Sequence, residues 1–385
     1  MPDHDSLLKR LWDKEAFEKN VYLVGKYADD QLGLPADKTL RIFIPDLHLL
    51  SAAGLERYPK GYGFNGNSPL PNGKPLFGTL LDVLEDIHDY DLPADNGSLE
   101  VFLLGDAFDL WREKKPEEKD AKDAYRRIRQ DPALEKLIDR LDKLGIKQLT
   151  GNHDHWLPQS IPAGFSVPNI RKEWLAAGDR MLLTHGHEYD AIEMGLPDDI
   201  QAVAVWIWTN LKKKGKSVIG LFSDQAIKNI KMVLNLRQRG LRKDFYPTVE
   251  PDGAYSIDNA DDIAAAGNKF STYLDVSQFS KTQGNANDFD HVDYLHFGDQ
   301  IVAAELNHPN DHSIHVIGHT HRARLLVDRI PPDRPFVTLD CGGWLGLCTV
   351  QIKGQRKTAQ VPSAQIGIQH GNDIRLYQLG GVPYP

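Results

Sequence analysis

Carboxylate, amide and imidazole side chains recur in five short segments of this 385-residue chain: Asp46-Leu47-His48, Gly105-Asp106-Ala107-Phe108-Asp109, Gly151-Asn152-His153-Asp154, Thr184-His185-Gly186-His187 and Gly318-His319-Thr320-His321. Imidazole nitrogen suits first-row transition metals and carboxylate oxygen suits harder ions. A mixed set of this size therefore fits Mn²⁺, Fe or Zn²⁺ better than Ca²⁺ or a thiolate-bound structural zinc. An Asp-x-His or His-x-His pair just past a strand sets residues i and i+2 on the same side of an extended backbone, so both side chains can converge on one small volume. A single such segment is ordinarily a turn with local hydrogen bonds. Five in succession, each at the end of an apolar run, read as the parts of a two-metal centre.

The apolar runs are the elements that must carry these side chains. Leu40-Arg41-Ile42-Phe43-Ile44, Leu99 to Leu104, Ile146 to Leu149, Met181 to Leu183 and Ile314 to Ile317 are short and rich in branched residues, as buried strands are. Leu76 to Tyr90 and Ala121 to Leu144 space their apolar residues near 3.6, which predicts helices packed on a sheet. Strand character returns at Pro335 to Asp340 and Thr349 to Ile352, while Arg57 to Lys74, dense in Gly, Pro and Asn, reads as a long surface loop. His187 and Asp190 are open: either can stand behind the metal ligands, and His187 competes with His185. His185 is preferred because it directly follows the strand-like Arg180 to Thr184. His155, His291, His296, His312 and His315 lack such context and read as surface or locally bonded residues.

The order D-x-H, G-D-x-x-D, G-N-H-D, a further His and G-H-x-H resembles the calcineurin-like metallophosphoesterase superfamily, over about Arg41 to Trp344 with one long interruption. The resemblance implies an α/β fold in which a two-sheet β-sandwich is flanked by helices, forming a single catalytic domain over residues 1–385. It implies one metal on Asp46, His48 and His321, a second on Asn152, His185 and His319, and Asp106 bridging the two. It also implies a di-metal phosphoesterase that cleaves a phosphomonoester, phosphodiester or pyrophosphate by attack of a bridging hydroxide, with Mn²⁺ the first choice and Fe or Zn²⁺ behind it. His153 would then be no ligand but a proton donor to the leaving oxygen, oriented by Asp109. Within the superfamily, Gly105 to Trp111 and Leu339-Asp340-Cys341-Gly342-Gly343-Trp344 are similar to the UDP-diacylglucosamine pyrophosphohydrolases, pointing to a sugar-nucleotide or lipid phosphate. That branch has Arg where this chain has His153.

Composition frames the reading. The formal net charge is −9, yet residues 211–243 hold ten Lys and Arg against Asp224 alone, threaded with apolar residues at helical intervals. Residues 191–300 are accordingly expected to form a helical, basic insertion in the domain, acidic and irregular from Asp252 to Asp299. Its positive charge serves a solvated face, a lid that gathers an anionic phosphate ester, or peripheral membrane contact through Trp206, Trp208 and Phe222. No apolar run of about 18 residues and no secretory leader is seen, and Cys341 and Cys348 read as buried free thiols, so a cytoplasmic location is expected. A nuclease of the recombination-repair type shares the G-N-H-D form, but an acidic chain is not expected to hold nucleic acid. A non-catalytic metal-binding scaffold is the remaining alternative, against which the intact ligand set and His153 argue.

Overall fold

In a computed structural model of the chain the residues described are 17, 21–57, 64–91, 97–115, 118, 121–155, 157–163, 165, 169–187, 312–319, 321, 323–330, 334–345, 348–351, 358–361 and 364–380. Fourteen strands fall among them. The larger sheet runs β1 (Val21–Ala28), β14 (Asp373–Leu379), β13 (Gln365–His370), β2 (Thr39–Ile44), β3 (Ser98–Leu103), β4 (Lys147–Leu149), β5 (Asn169–Arg171). Strands β2 to β5 are mutually parallel, and β13, β14 and β1 add antiparallel. The second sheet runs β6 (Glu173–Ala176), β7 (Met181–Thr184), β8 (Ile314–Ile317), β10 (Arg334–Cys341), β9 (Ala323–Ile330), with β7, β8 and β10 parallel. Strands β11 (Cys348–Gln351) and β12 (Thr358–Val361) pair apart from both. The fold is mixed α/β with two mixed sheets.

Period-two alternation explains why the parallel strands are apolar throughout. In β2, Leu40, Ile42 and Ile44 enter one buried cluster and Phe43 enters another; in β3, Val101 and Leu103 divide from Phe102 in the same way. A strand covered on both faces needs apolar residues at every position. The first cluster is completed by Leu76, Phe77, Leu80, Leu81 and Leu84 of the helix Leu76–Asp86, and by Tyr125, Ile128, Ile138 and Leu141 of the helices Lys122–Arg129 and Glu135–Lys143. The second cluster joins Phe43, Phe102 and Leu149 of the larger sheet to Trp174, Leu183, Val316 and Leu339 of the smaller one.

The structure corrects the sequence reading in four places. The single helix expected over Ala121 to Leu144 is two, interrupted at Asp131 and Pro132, where proline cannot donate within a helix and the Asp131 carboxylate instead takes the Ala133 and Ala52 N–H groups at 3.0 and 2.7 Å. The loop from Arg57 to Lys74 is not wholly superficial. Asn65, Gly66 and Leu70 are buried, and the Phe64 ring meets Phe77 edge-on at 5.2 Å. His312 and His315 are buried rather than superficial, and His315 Nε2 lies 3.0 Å from the Thr184 hydroxyl. Strands β1, β5, β6, β9, β12, β13 and β14 had no expectation. The Cys341 thiol is free and buried, and burial first of all holds its pKa well above the ordinary thiol value. The insertion 191–300, with its basic stretch and acidic connection, and Asp190, His291 and His296 lie outside the described residues. Among the described residues no helix is long and apolar enough to cross a membrane.

Phe43 is fully buried where the two sheets share a cluster, with its ring centroid 5.7 Å from that of Phe102. Phe43→Ala should lower unfolding free energy by about 3–5 kcal/mol through lost burial and a residual cavity, read from urea denaturation. A loss below about 1 kcal/mol would mean that the site tolerates a void and that this cluster does not hold the sheets.

Candidate metal centre

Each of the five segments leaves the C-terminal end of a parallel strand: Asp46 and His48 follow β2, Asp106 and Asp109 follow β3, Asn152 and His153 follow β4, His185 follows β7, and His319 and His321 follow β8. Ligands in open α/β sheets gather at such strand ends. Backbone hydrogen bonds stitch neighbouring turns within each sheet and, at Trp344 and Asp46, between the two sheets. His48 N donates to Asp106 O at 2.8 Å, Gly318 N to His185 O at 3.0 Å, and Trp344 N to Asp46 O at 2.8 Å.

Three overlapping groups of buried donors result: Asp46, His48 and His321; His48, Asp106 and His153; Asp46, Asp106 and His185. Their facing atoms lie within 4.8 Å of one another in each group. Any two groups share a residue. His48 Nε2 is 3.0 Å from His321 Nε2, which is in turn 3.0 Å from Asp46 Oδ2. One oxygen of Asp106, Oδ2, stands 3.7 Å from His48 Nε2 and 3.4 Å from His185 Nε2, while Oδ1 accepts the His153 backbone N–H at 2.7 Å. A carboxylate so placed has one oxygen fixed by the backbone and the other free between two imidazoles.

His185 tests whether this arrangement fits a cation. Its Nδ1 is 2.8 Å from the Leu104 carbonyl, which can only accept, so Nδ1 carries the proton. In the neutral ring Nε2 is then bare, yet it faces Asn152 Oδ1 at 3.2 Å and Asp106 Oδ2 at 3.4 Å. Lone pairs that face one another in a buried place call for a positive charge between them. The donor chemistry fits a divalent metal.

Not every expected ligand converges equally. His319 gives its backbone N–H to both Asp46 oxygens at 3.0 and 3.1 Å, and its ring lies edge-on to His185 with centroids 5.1 Å apart, outside the three groups. His187 is likewise outside them, its ring 5.3 Å from that of His185. His153 is inside one, edge-on to His48 at 4.7 Å, and its Nδ1 lies 3.0 Å from Asp109 Oδ1. Two further buried groups had no role assigned from sequence. Arg112 reaches Asp109 through both its backbone N–H and Nη1; Asp154 accepts the Gly151 N–H at 2.7 Å and the Phe108 N–H at 3.4 Å, tying two of the turns together. The signal for both was local: Arg112 stands one helical turn past Asp109, and Asp154 closes its own motif.

Burial acts upward on every carboxylate here, and the neighbours decide the outcome. It is outweighed at Asp106, which His185 and His153 hold well below the usual range, and at Asp109, where Arg112 and His153 do so. Asp154, facing the Asp106 charge, is instead pushed up to about 7. Burial drives His321 down to about 4 against the pull of Asp46, and lowers His153 against Asp109. A neutral imidazole is the ligating form.

The backbone supports the cluster at close range. A Cβ on Gly318 would fall 2.3 Å from Asp46 Oδ1, and one on Gly151 would fall 2.1 Å from Asp106 Oδ1, so only glycine lets these carboxylates lie against the main chain. His48, Asp106, His319 and His321 all adopt left-handed φ, between 46° and 67°. Such conformations are unfavourable for side-chain-bearing residues and gather at functional sites.

No family model matches the chain, and no curated protein matches it. Among solved structures it is similar to a dimetal phosphatase from Danio rerio, at 14% identity and a TM-score of 0.34, over 89% of this chain and 100% of that one. A likeness at this level decides nothing about function.

Because Asp106 Oδ2 stands against both His48 Nε2 and His185 Nε2, while His48 shares a group with His321 but not with His185, two substitutions should differ. Asp106→Asn should weaken both cation positions, while His48→Ala should weaken chiefly one. Elemental analysis after equilibration with Mn²⁺ checks this; two full equivalents retained by Asp106→Asn would refute the shared role.

Proposed function

We propose that the chain is a metal-dependent phosphoesterase acting on an anionic phosphate ester. The observation that carries the reading is Asp106 Oδ2, held between His48 Nε2 and His185 Nε2 in the middle of overlapping donor groups. Overlapping groups joined by one carboxylate oxygen hold two adjacent cations better than one. Asp46, His48 and His321 would hold the first; Asn152, His185 and His319 the second, with the His319 ring turning inward; Asp106 serves both. Two such cations would supply charge for the phosphoryl oxygens and lower the pKa of bound water.

The rest falls to the protein. With Nδ1–H held by Asp109, the opposite nitrogen of His153 is left for the leaving oxygen: it takes a second proton from solvent and passes it to that oxygen as the bond to phosphorus breaks. His48 and His153 lie edge-on, so the donor sits beside the cation cluster rather than apart from it. Manganese is our first choice of metal, with iron or zinc behind it, because the donors are mixed nitrogen and oxygen without sulfur. The ester is a monoester, a diester or a pyrophosphate, and a sugar-nucleotide or lipid phosphate is the form that the Trp111 motif favours. None of the comparisons supports the pyrophosphohydrolase branch itself.

His153→Ala separates ligand from acid. It should retain both metal equivalents yet lose roughly 10²–10⁴-fold in turnover of alkyl phosphate esters, the loss typical of a removed general acid. With a nitrophenyl ester, whose oxygen leaves unprotonated, the loss should nearly vanish. Loss of a metal equivalent would make His153 a ligand, and wild-type protein that hydrolyses no phosphate ester with Mn²⁺, Fe or Zn²⁺ would overturn the proposal.

A further inference from the structure

Asp109 is wholly buried and divides its two oxygens among three residues. Oδ1 lies 3.0 Å from His153 Nδ1 and accepts the Arg112 backbone N–H at 3.2 Å; Oδ2 accepts from Arg112 Nη1 and lies 3.4 Å from His48 Nδ1. One carboxylate thus faces the outer nitrogens of two imidazoles whose rings are edge-on at 4.7 Å. We infer that Arg112 is a positioning residue: by fixing the Asp109 carboxylate it sets the orientation of His48 at the cation cluster and of His153 beside it. The roles given to those two imidazoles rest on the phosphoesterase reading above; their shared dependence on Arg112 does not.

The physical reason is directional. A carboxylate with one imidazole nitrogen hydrogen-bonded at 3.0 Å and a second at an ion-pair distance of 3.4 Å can rotate toward either, and each rotation loosens the other ring. Arg112 blocks that rotation from two sides, its backbone N–H on one oxygen and its guanidinium on the other. The planar guanidinium presents donors in a fixed fork and stays charged when buried. Arg112 is itself 5% exposed and cannot drift, because the next residue is anchored. The buried Glu113 carboxylate takes the Ser51 N–H at 3.1 Å, the Ser51 hydroxyl at 2.9 Å and Arg127 Nε at 2.8 Å. That anchor ties the four-residue helix Leu110–Glu113 to the segment that follows His48.

Arg112→Met, Arg112→Lys and Asp109→Asn test the assignment in the full chain. In metal-free wild-type protein, long-range proton–nitrogen spectra of the histidine rings should show His48 and His153 each as a single tautomer protonated at Nδ1. Arg112→Met should broaden or shift both, as Asp109→Asn does, and Arg112→Lys, which keeps charge without the fork, should fall between. Mn²⁺ affinity at one of the two positions should drop about 10–100-fold, the usual cost of removing a partner behind a ligand. Turnover of an alkyl phosphate should fall about tenfold or more while that of a nitrophenyl phosphate falls less, and the double variant with His153→Ala should lose less than the product of the two single losses. Unchanged ring spectra in folded Arg112→Met would overturn the inference, as would equal losses on the two esters. If Arg112→Met does not fold, the spectra of Arg112→Lys decide by the same criteria. Wild-type protein without phosphoesterase activity would sink the proposed function alone, since the ring spectra would still judge Arg112.

Discussion

Anionic oxygens are packed here where water cannot reach them. Asp46, Asp106 and Asp109 are almost wholly buried, all three are held in the ionised form, and His153 and His321 beside them are driven toward neutrality by the same burial. Charges of one sign so close together in a poorly polarisable interior repel strongly. Arg112 neutralises Asp109. Imidazoles and main-chain N–H groups stabilise the Asp46 and Asp106 charges, while each carboxylate also bears on the other, which leaves the pair incompletely balanced. Divalent cations, which these buried donor groups could bind, would complete the balance.

The backbone meets this demand at a cost. Four residues of the site, His48, Asp106, His319 and His321, sit in left-handed conformations, each of which is unfavourable by about 1–3 kcal/mol, and nearby glycines are pressed against the carboxylates. What holds the turns is the stitching between sheets. Asp46 takes the His319 N–H on its side chain and the Trp344 N–H on its main chain, so the ends of β2, β8 and β10 are fixed by one residue. Trp344 in turn donates its ring N–H to the Gln365 carbonyl at 2.8 Å and packs edge-on to Phe77 at 4.7 Å, which ties the cluster to the helical layer.

The strands that carry ligands were legible because they are buried on both faces and read as unbroken apolar runs; Ile314–Ile317 has the expected limits, and the others shift by one residue. Strands β13 and β14 were not, because Gln365, Gln369 and Gln378 are buried polar residues that interrupt the apolar pattern. The break at Pro132 was overridden by the helical spacing on either side of it. At the site, Asp46, His48, Asp106, His185 and His321 gather in overlapping groups as their motifs suggest, since each needs only to follow a strand end. Side-chain direction is another matter: no spacing rule says that the His319 ring turns toward His185, that His153 stands against His48, or that Asp109 is shared.

Anomalous diffraction from crystals of the wild-type protein equilibrated with Mn²⁺ tests the central claim most directly. Two peaks about 3.5–4 Å apart are expected, one beside Asp46, His48 and His321 and the other beside Asn152 and His185, with Asp106 Oδ2 between them. A single peak, or two that do not share Asp106, would contradict the account.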